Sequence, residues 1–300
     1  MQKSPMRQTR VEVNGLELGL RAMGREGAPL ILFLHGFPEY AGAWDEVMPV
    51  FADRWHAVAP DQRGYARSAK PVGLDAYRVK ELVRDVLALG ERFSPGRAFV
   101  LVGHDWGASV AYAAAMAAPA RIGKLVVING VHPGPFQRAL LEDNVQRRAS
   151  GYMHFLRSPE AEAVLSANNF EKLLGMLERF GPQPWLTAEK RKGYLEAWSQ
   201  PGALTAMLNW YRVSPLLLPR PGETVDTVKA INLDPARYRI RMPHLLIWGM
   251  DDRALLPAAR AGLADYCDDL TVREIAAADH WVVHQRTAEV VGYIDEFLGA

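Results

Sequence analysis

Two rhythms of apolar and polar positions alternate along this chain. Leu30–Leu34 and Phe99–Val102 are unbroken apolar runs, the pattern of strands buried on both faces of a parallel sheet. His56–Asp61, Lys124–Asn129, His244–Gly249 and Leu270–Ile275 read as further strands. Between strands the apolar residues recur near helical spacing, as Leu82, Val86, Leu87 and Leu89 do within Ala76–Phe93, and Ala108–Ala115 also reads as a helix. Ahead of all these, Thr9–Met23 alternates apolar and polar residues around Asn14-Gly15, a strong hairpin signal that predicts two antiparallel strands at the sheet edge. Strands alternating with helices predict an α/β fold with a mostly parallel, doubly wound sheet.

That rhythm stops between Asn129 and His244. The intervening stretch carries helix-like pieces, Glu160–Asn168 and Phe170–Phe180, punctuated by Pro182, Pro184, Pro201, Pro215, Pro219 and Pro221. It predicts a helical lid over residues 131–242, inserted into a core formed by 1–130 and 243–300. Arg239-Ile240-Arg241-Met242-Pro243 returns the chain to the sheet.

Composition narrows the function. Three hundred residues, 49% of them hydrophobic, can bury a sizeable core. Lys and Arg number 35 against 34 Asp and Glu, a formal net charge of +1 with no long run of one sign, which speaks against nucleic acid as a partner. The single Cys267 excludes an intrachain disulfide or a thiolate metal cluster. Met1-Gln2-Lys3-Ser4-Pro5 lacks the apolar core of a signal peptide, and no apolar stretch approaches the roughly 20 residues of a membrane span. A soluble, cytoplasmic protein with no membrane contact is expected; a homodimer is left open.

The candidate chemistry begins where Phe99–Val102 runs into Gly103-His104-Asp105-Trp106-Gly107 and then the helix. Strand, Gly-x-x-x-Gly and helix is the context of a nucleophile elbow, a sharp turn that pushes its central side chain out over the sheet. The central residue is Asp105 rather than Ser. A carboxylate needs no base to activate it and can attack carbon directly, leaving a covalent ester. Hydrolysing that ester requires a base for water and a carboxylate to orient the base. After His244–Gly249 come Asp251 and Asp252, and after Leu270–Ile275 comes Ala278-Asp279-His280-Trp281, in the order nucleophile, acid, histidine. His280 is favoured over His284 because it lies on the loop between the last strand and last helix. Asp252 is favoured over Asp251 by its Gly-x-x-Asp spacing. Charge on the reacting oxygens calls for backbone N–H donors, for which Trp106 and Phe37, in His35-Gly36-Phe37-Pro38, are placed.

These motifs resemble those of the soluble epoxide hydrolases of the α/β-hydrolase fold, over nearly the whole chain. Haloalkane dehalogenases share the core motifs, so the lid must discriminate. In epoxide hydrolases two lid tyrosines donate to the epoxide oxygen, and the resemblance places Tyr152, in Tyr152–Pro159, and Tyr211, in Asn209-Trp210-Tyr211-Arg212, in those roles. Opening an epoxide creates an alkoxide, which a phenol can hydrogen-bond and protonate while staying un-ionised at pH 7; a halide leaving group needs no proton. The fluoroacetate dehalogenases carry Arg directly after the nucleophile, where Trp106 stands. The resemblance thus implies an epoxide hydrolase with a small-molecule epoxide substrate and no metal or organic cofactor. The alternatives are a haloalkane dehalogenase and a ligand-binding protein without turnover. Phe37, Trp106, Trp210 and Trp281 suggest an apolar pocket for an alkyl or aryl epoxide. Asp61-Gln62-Arg63-Gly64-Tyr65-Ala66-Arg67-Ser68 resembles the fold's Asp-x-Arg-Gly-x-Gly-x-Ser stretch, with Ala66 where Gly is usual; Arg63 is read as a buried tie between loops.

Overall fold

The computed structural model describes residues 5–220, 223 and 234–299. Residues 1–4 and, within the expected lid, Pro221 and most of 222–233 lie outside the described residues. Eight strands form one sheet in the order β1-β2-β4-β3-β5-β6-β7-β8. They are β1 (Arg7–Val13), β2 (Leu16–Met23), β3 (Leu30–Leu34), β4 (His56–Pro60), β5 (Phe99–His104), β6 (Ile122–Ile128), β7 (His244–Gly249) and β8 (Leu270–Ile275). The hairpin β1-β2 turns at Asn14-Gly15, both with positive φ, and joins β4 antiparallel. From β4 to β8 every pairing is parallel.

Each buried strand divides its side chains between two apolar layers. In β3, Leu30, Leu32 and Leu34 enter one layer while Ile31 and Phe33 enter the other. An unbroken apolar run is therefore what a strand covered on both faces requires. Eleven helices are described: α1 (Met48–Phe51), α2 (Val79–Phe93), α3 (Trp106–Ala117), α4 (Pro133–Glu142), α5 (Asn144–Ala149), α6 (Tyr152–Arg157), α7 (Ala161–Leu177), α8 (Ala188–Trp198), α9 (Ala203–Arg212), α10 (Val282–Gln285) and α11 (Thr287–Gly299). Helices α2 and α3 cover the first layer, and α1 and α11 the second. Helices α4 to α9 fall between β6 and β7. Helix α7 breaks at Ala167–Phe170, where Asn168, Asn169 and Phe170 take positive φ, so the expected pieces on either side of residue 169 are two helical segments meeting at a kink. Asn tolerates that conformation better than most residues.

The chain leaves β3 for β4 on one side and returns to β5 on the other. The carboxyl ends of β3 and β5 therefore flank the point where strand order reverses, which is where open α/β sheets bind ligands.

Candidate active site

Asp105 closes β5 and heads α3 at φ 50°, ψ −119°, a conformation costly for a non-glycine residue. The flanking glycines make the turn feasible. A Cβ on Gly103 would stand 2.5 Å from the Gly107 carbonyl oxygen, and one on Gly107 only 2.2 Å from that of Leu34. The elbow thus seats α3 directly against β3 and β5.

The loop after β3 supplies the first partner. The Phe37 N–H donates to Asp105 Oδ1 at 2.7 Å. The other expected donor, the Trp106 N–H, makes no hydrogen bond to that carboxylate among the described residues. On the opposite side, His280 Nε2 lies 3.4 Å from Asp105 Oδ2 and His280 Nδ1 lies 2.7 Å from Asp252 Oδ2. Asp252 follows β7 and is buried; its Oδ1 accepts from the Ala254 and Leu255 N–H groups, and its Oδ2 from Asn129 Nδ2 at 2.8 Å. Asn129, at the end of β6, also accepts from the Gly249 N–H. Four strand ends thus converge on one imidazole.

Electrostatics follow from that crowding. Burial alone would depress the His280 pKa, but Asp252 beside it and Asp105 facing it hold the imidazole well above its ordinary value. Burial would likewise raise Asp252, yet the His280 charge and the hydrogen bonds from His280, Leu255 and Asn129 keep its carboxyl below the usual range. Both neighbouring carboxylates thus favour the protonated form of the imidazole.

A small cavity of about 30 Å³ lies over Asp105, lined also by Phe37, Tyr152, Tyr211, His280 and Trp281. The phenols of Tyr152 and Tyr211 are raised above their ordinary pKa, by burial first and then by neighbouring charge including Asp105. The Tyr211 ring packs edge-on to Phe37 and Trp106, with centroids 5.0 and 5.1 Å away.

Two of the expected pocket aromatics stand elsewhere. Trp106 and Trp210 line a second, apolar cavity of about 480 Å³ and do not line the one at Asp105. The Trp210 indole N–H donates to the Arg63 carbonyl at 3.1 Å and its ring packs edge-on to Tyr65, which turns it into the core. The competitors of the favoured triad residues face other groups. His284 Nε2 lies 2.7 Å from Glu39 Oε1, and Asp251 is exposed.

The sequence reading missed a buried group beside the triad. Glu39 receives the Tyr194 hydroxyl, His284 and His104, and His104 Nε2 donates to the His280 carbonyl oxygen at 2.9 Å. Burial pushes the Glu39 carboxyl upward, but His284 and His104 bring it well below its ordinary value. Glu39 directly follows His35-Gly36-Phe37-Pro38, and a carboxylate beside an apolar turn was the signal available. Arg179 and Phe180, just past the end of α7, also line the cavity.

Comparison with known proteins decides the family. The α/β-hydrolase fold family model matches residues 29–287. Epoxide hydrolase 4 of Mus musculus is 31% identical over 300 residues, covering 96% of this chain and 78% of the mouse protein. The chain belongs to the epoxide hydrolases of the α/β-hydrolase fold. An AB hydrolase superfamily protein, YfhM of Bacillus subtilis, is 36% identical over 96% of both chains. Among solved structures, a Bacillus megaterium epoxide hydrolase in complex with an inhibitor superposes with a TM-score of 0.88 at 29% identity. That match covers 97% of this chain and 100% of the other.

Proposed function

We propose that the protein adds water to an alkyl or aryl epoxide, giving a vicinal diol through an ester on Asp105. The observation that carries this reading is the pair of phenols, Tyr152 and Tyr211, lining the same cavity as Asp105 and His280. With Asp105 Oδ1 held by the Phe37 N–H at 2.7 Å and Oδ2 only loosely approached by His280 Nε2 at 3.4 Å, Oδ2 is the oxygen that attacks an epoxide carbon. The C–O bond breaks and the departing oxygen takes a proton from one of the tyrosines. Esterification removes the Asp105 charge, one of the influences that hold the His280 pKa up. The imidazole then gives up its proton more readily, returning it to the tyrosinate, and the neutral ring can take one from water. The resulting hydroxide attacks the ester carbonyl carbon, negative charge develops on Oδ1, and the Phe37 N–H meets it, with Trp106 as the second donor. Collapse breaks the ester C–O bond, and the expelled diol oxygen takes the proton left on the Asp105 carboxyl. The carboxylate is thereby restored beside the imidazolium formed when His280 took its proton from water.

In this reading residues 131–242 form the lid, Phe37 and Trp281 touch the substrate, and Trp106 presents its far face to the larger cavity. Among the described residues no helix is long and apolar enough to cross a membrane, and cytoplasmic placement belongs to the proposal. The test compares styrene oxide with 1-bromobutane on the purified protein and on the Tyr152→Phe, Tyr211→Phe double variant. Styrene oxide should be converted to its diol, and the double variant should open it about 10²-fold more slowly or worse, the usual scale for a general acid. Turnover of bromobutane alone, or an unchanged rate in the double variant, rejects the reading.

A further inference from the structure

The cavity over Asp105 holds one charge that this reaction scheme leaves idle. Apart from Asp105 and His280, its lining is aromatic, aliphatic or phenolic except for Arg179. The Arg179 guanidinium carbon stands 5.3 Å over the Tyr152 ring and 5.8 Å from the centre of the Phe180 ring. Among the described residues no carboxylate pairs with it. The adjacent Glu178 is taken by Arg191. A guanidinium held over a ring by cation–π attraction still has N–H groups with which to bond an anion. The residue is exposed while lining the cavity, so those groups can meet an entering molecule.

Charge balance gives this position its meaning. Two carboxylates around a single imidazole make the reacting centre net negative whether or not the ring is protonated, and an anionic substrate approaching it unaided is repelled. A guanidinium in the lining reverses that field locally and offers two parallel donors to a carboxylate. Resting on the epoxide-hydrolysis reading above, we propose that Arg179 is a specificity-determining residue that binds the carboxylate of an epoxy acid. Because the guanidinium lies over the phenol assigned to the oxirane oxygen, the tether is short. The carboxylate sits on an oxirane carbon or one carbon beyond it.

The test uses 3-phenyloxirane-2-carboxylate and its methyl ester, a pair matched in everything but charge, on the wild type, Arg179→Gln and Arg179→Lys. The wild type should prefer the acid. Arg179→Gln should lower the acid-to-ester ratio of kcat/KM by about tenfold or more, chiefly through KM, and Arg179→Lys should restore part of it, since it keeps the charge but loses the bidentate fork. A binding readout independent of turnover is calorimetry with 3-phenylpropanoate against 3-phenylpropanamide. Only the anion should bind in an Arg179-dependent manner. An equal loss for acid and ester would mean that Arg179 acts through Tyr152 alone and overturns the proposal, as would an acid-to-ester ratio unmoved by Arg179→Gln. Should the wild type turn over neither epoxide while phenylpropanoate binding still depends on Arg179, the anion site stands and the reaction assigned to it fails.

Discussion

At the scale of single residues, the proposed mechanism gives His280 two duties at different charge states. In the free site Asp105 and Asp252 favour its protonated form; after the proposed esterification it must be neutral to accept a proton. The sign of the pH dependence follows. Forming the ester does not consume the imidazole and should be insensitive to pH through the His280 titration. Hydrolysing the ester needs the neutral ring, so its rate should rise with pH and level off above the pKa of the esterified state, which lies below that of the free enzyme because the Asp105 charge is gone. Rapid-quench mass spectrometry separates the two steps. In His280→Ala the ester should accumulate, raising the protein mass by one substrate mass. Under single turnover in heavy-oxygen water, wild-type diol should be largely unlabelled while the Asp105 peptide gains label. Fully labelled diol with an unlabelled peptide would make Asp105 a general base instead.

Among elements, the β5-α3 elbow and the loop following β4 show how local sequence sets the frame. Arg63 is buried and forms a two-pronged pair with Asp85 of α2 at 2.6 and 2.7 Å while donating to the Ala76 carbonyl, the tie expected of it. Ala66, standing where the resembling motif has Gly, takes φ 39°, so the preference for Gly there is one of backbone conformation. Glycine substitutions separate close approach from mere helix propensity. Gly107→Ala forces its methyl against the Leu34 carbonyl and should cost about 1–3 kcal/mol, as overpacking does, with activity falling because α3 carries the elbow. Gly175→Ala, on α7 with nothing within 4 Å of the added carbon, should stabilise by roughly 0.5–1 kcal/mol. Urea unfolding of the two variants measures both, and shifts of the same sign would refute the close-packing account.

Over the whole molecule, the segment between β6 and β7 is bonded to the loops that follow β3, β4 and β8. The Tyr194 hydroxyl donates to Glu39, Trp198 Nε1 to the Pro38 carbonyl, Trp210 Nε1 to the Arg63 carbonyl and Gln183 Nε2 to Asp279. Pro38 and Glu39 follow Phe37, and Asp279 precedes His280. Loosening this segment therefore loosens the loops that carry Phe37 and His280, and it should unfold together with the sheet in one transition. Tyr194→Phe removes one donor from buried Glu39 and should lower stability by about 1–3 kcal/mol. Denaturation followed by tryptophan fluorescence and by far-ultraviolet circular dichroism should give coincident curves; separate transitions would show that the segment is an independent unit.

The sequence by itself determined the sheet and the neighbourhood of the elbow. Buried parallel strands must be apolar on both faces, so Leu30–Leu34 and His244–Gly249 announce themselves locally, and Gly103 and Gly107 are required by contacts within a few residues along the chain or against the adjoining strand. The side chains of Asp105, Asp252 and His280 lie far apart in sequence but at strand ends, which the alternating pattern orders before any coordinates are known. Only the tertiary structure decided what long-range contacts control. Glu39 meets His104, His284 and Tyr194 across separations of 65, 245 and 155 residues, and no local pattern encodes such a meeting. Trp210 turned away from the Asp105 cavity because its indole found a carbonyl in the core, and Arg179 came to line the cavity because α7 ends just before it. Which side of a helix faces the site in the irregular segment between β6 and β7 is set by packing against the sheet, and that information is spread over the whole fold.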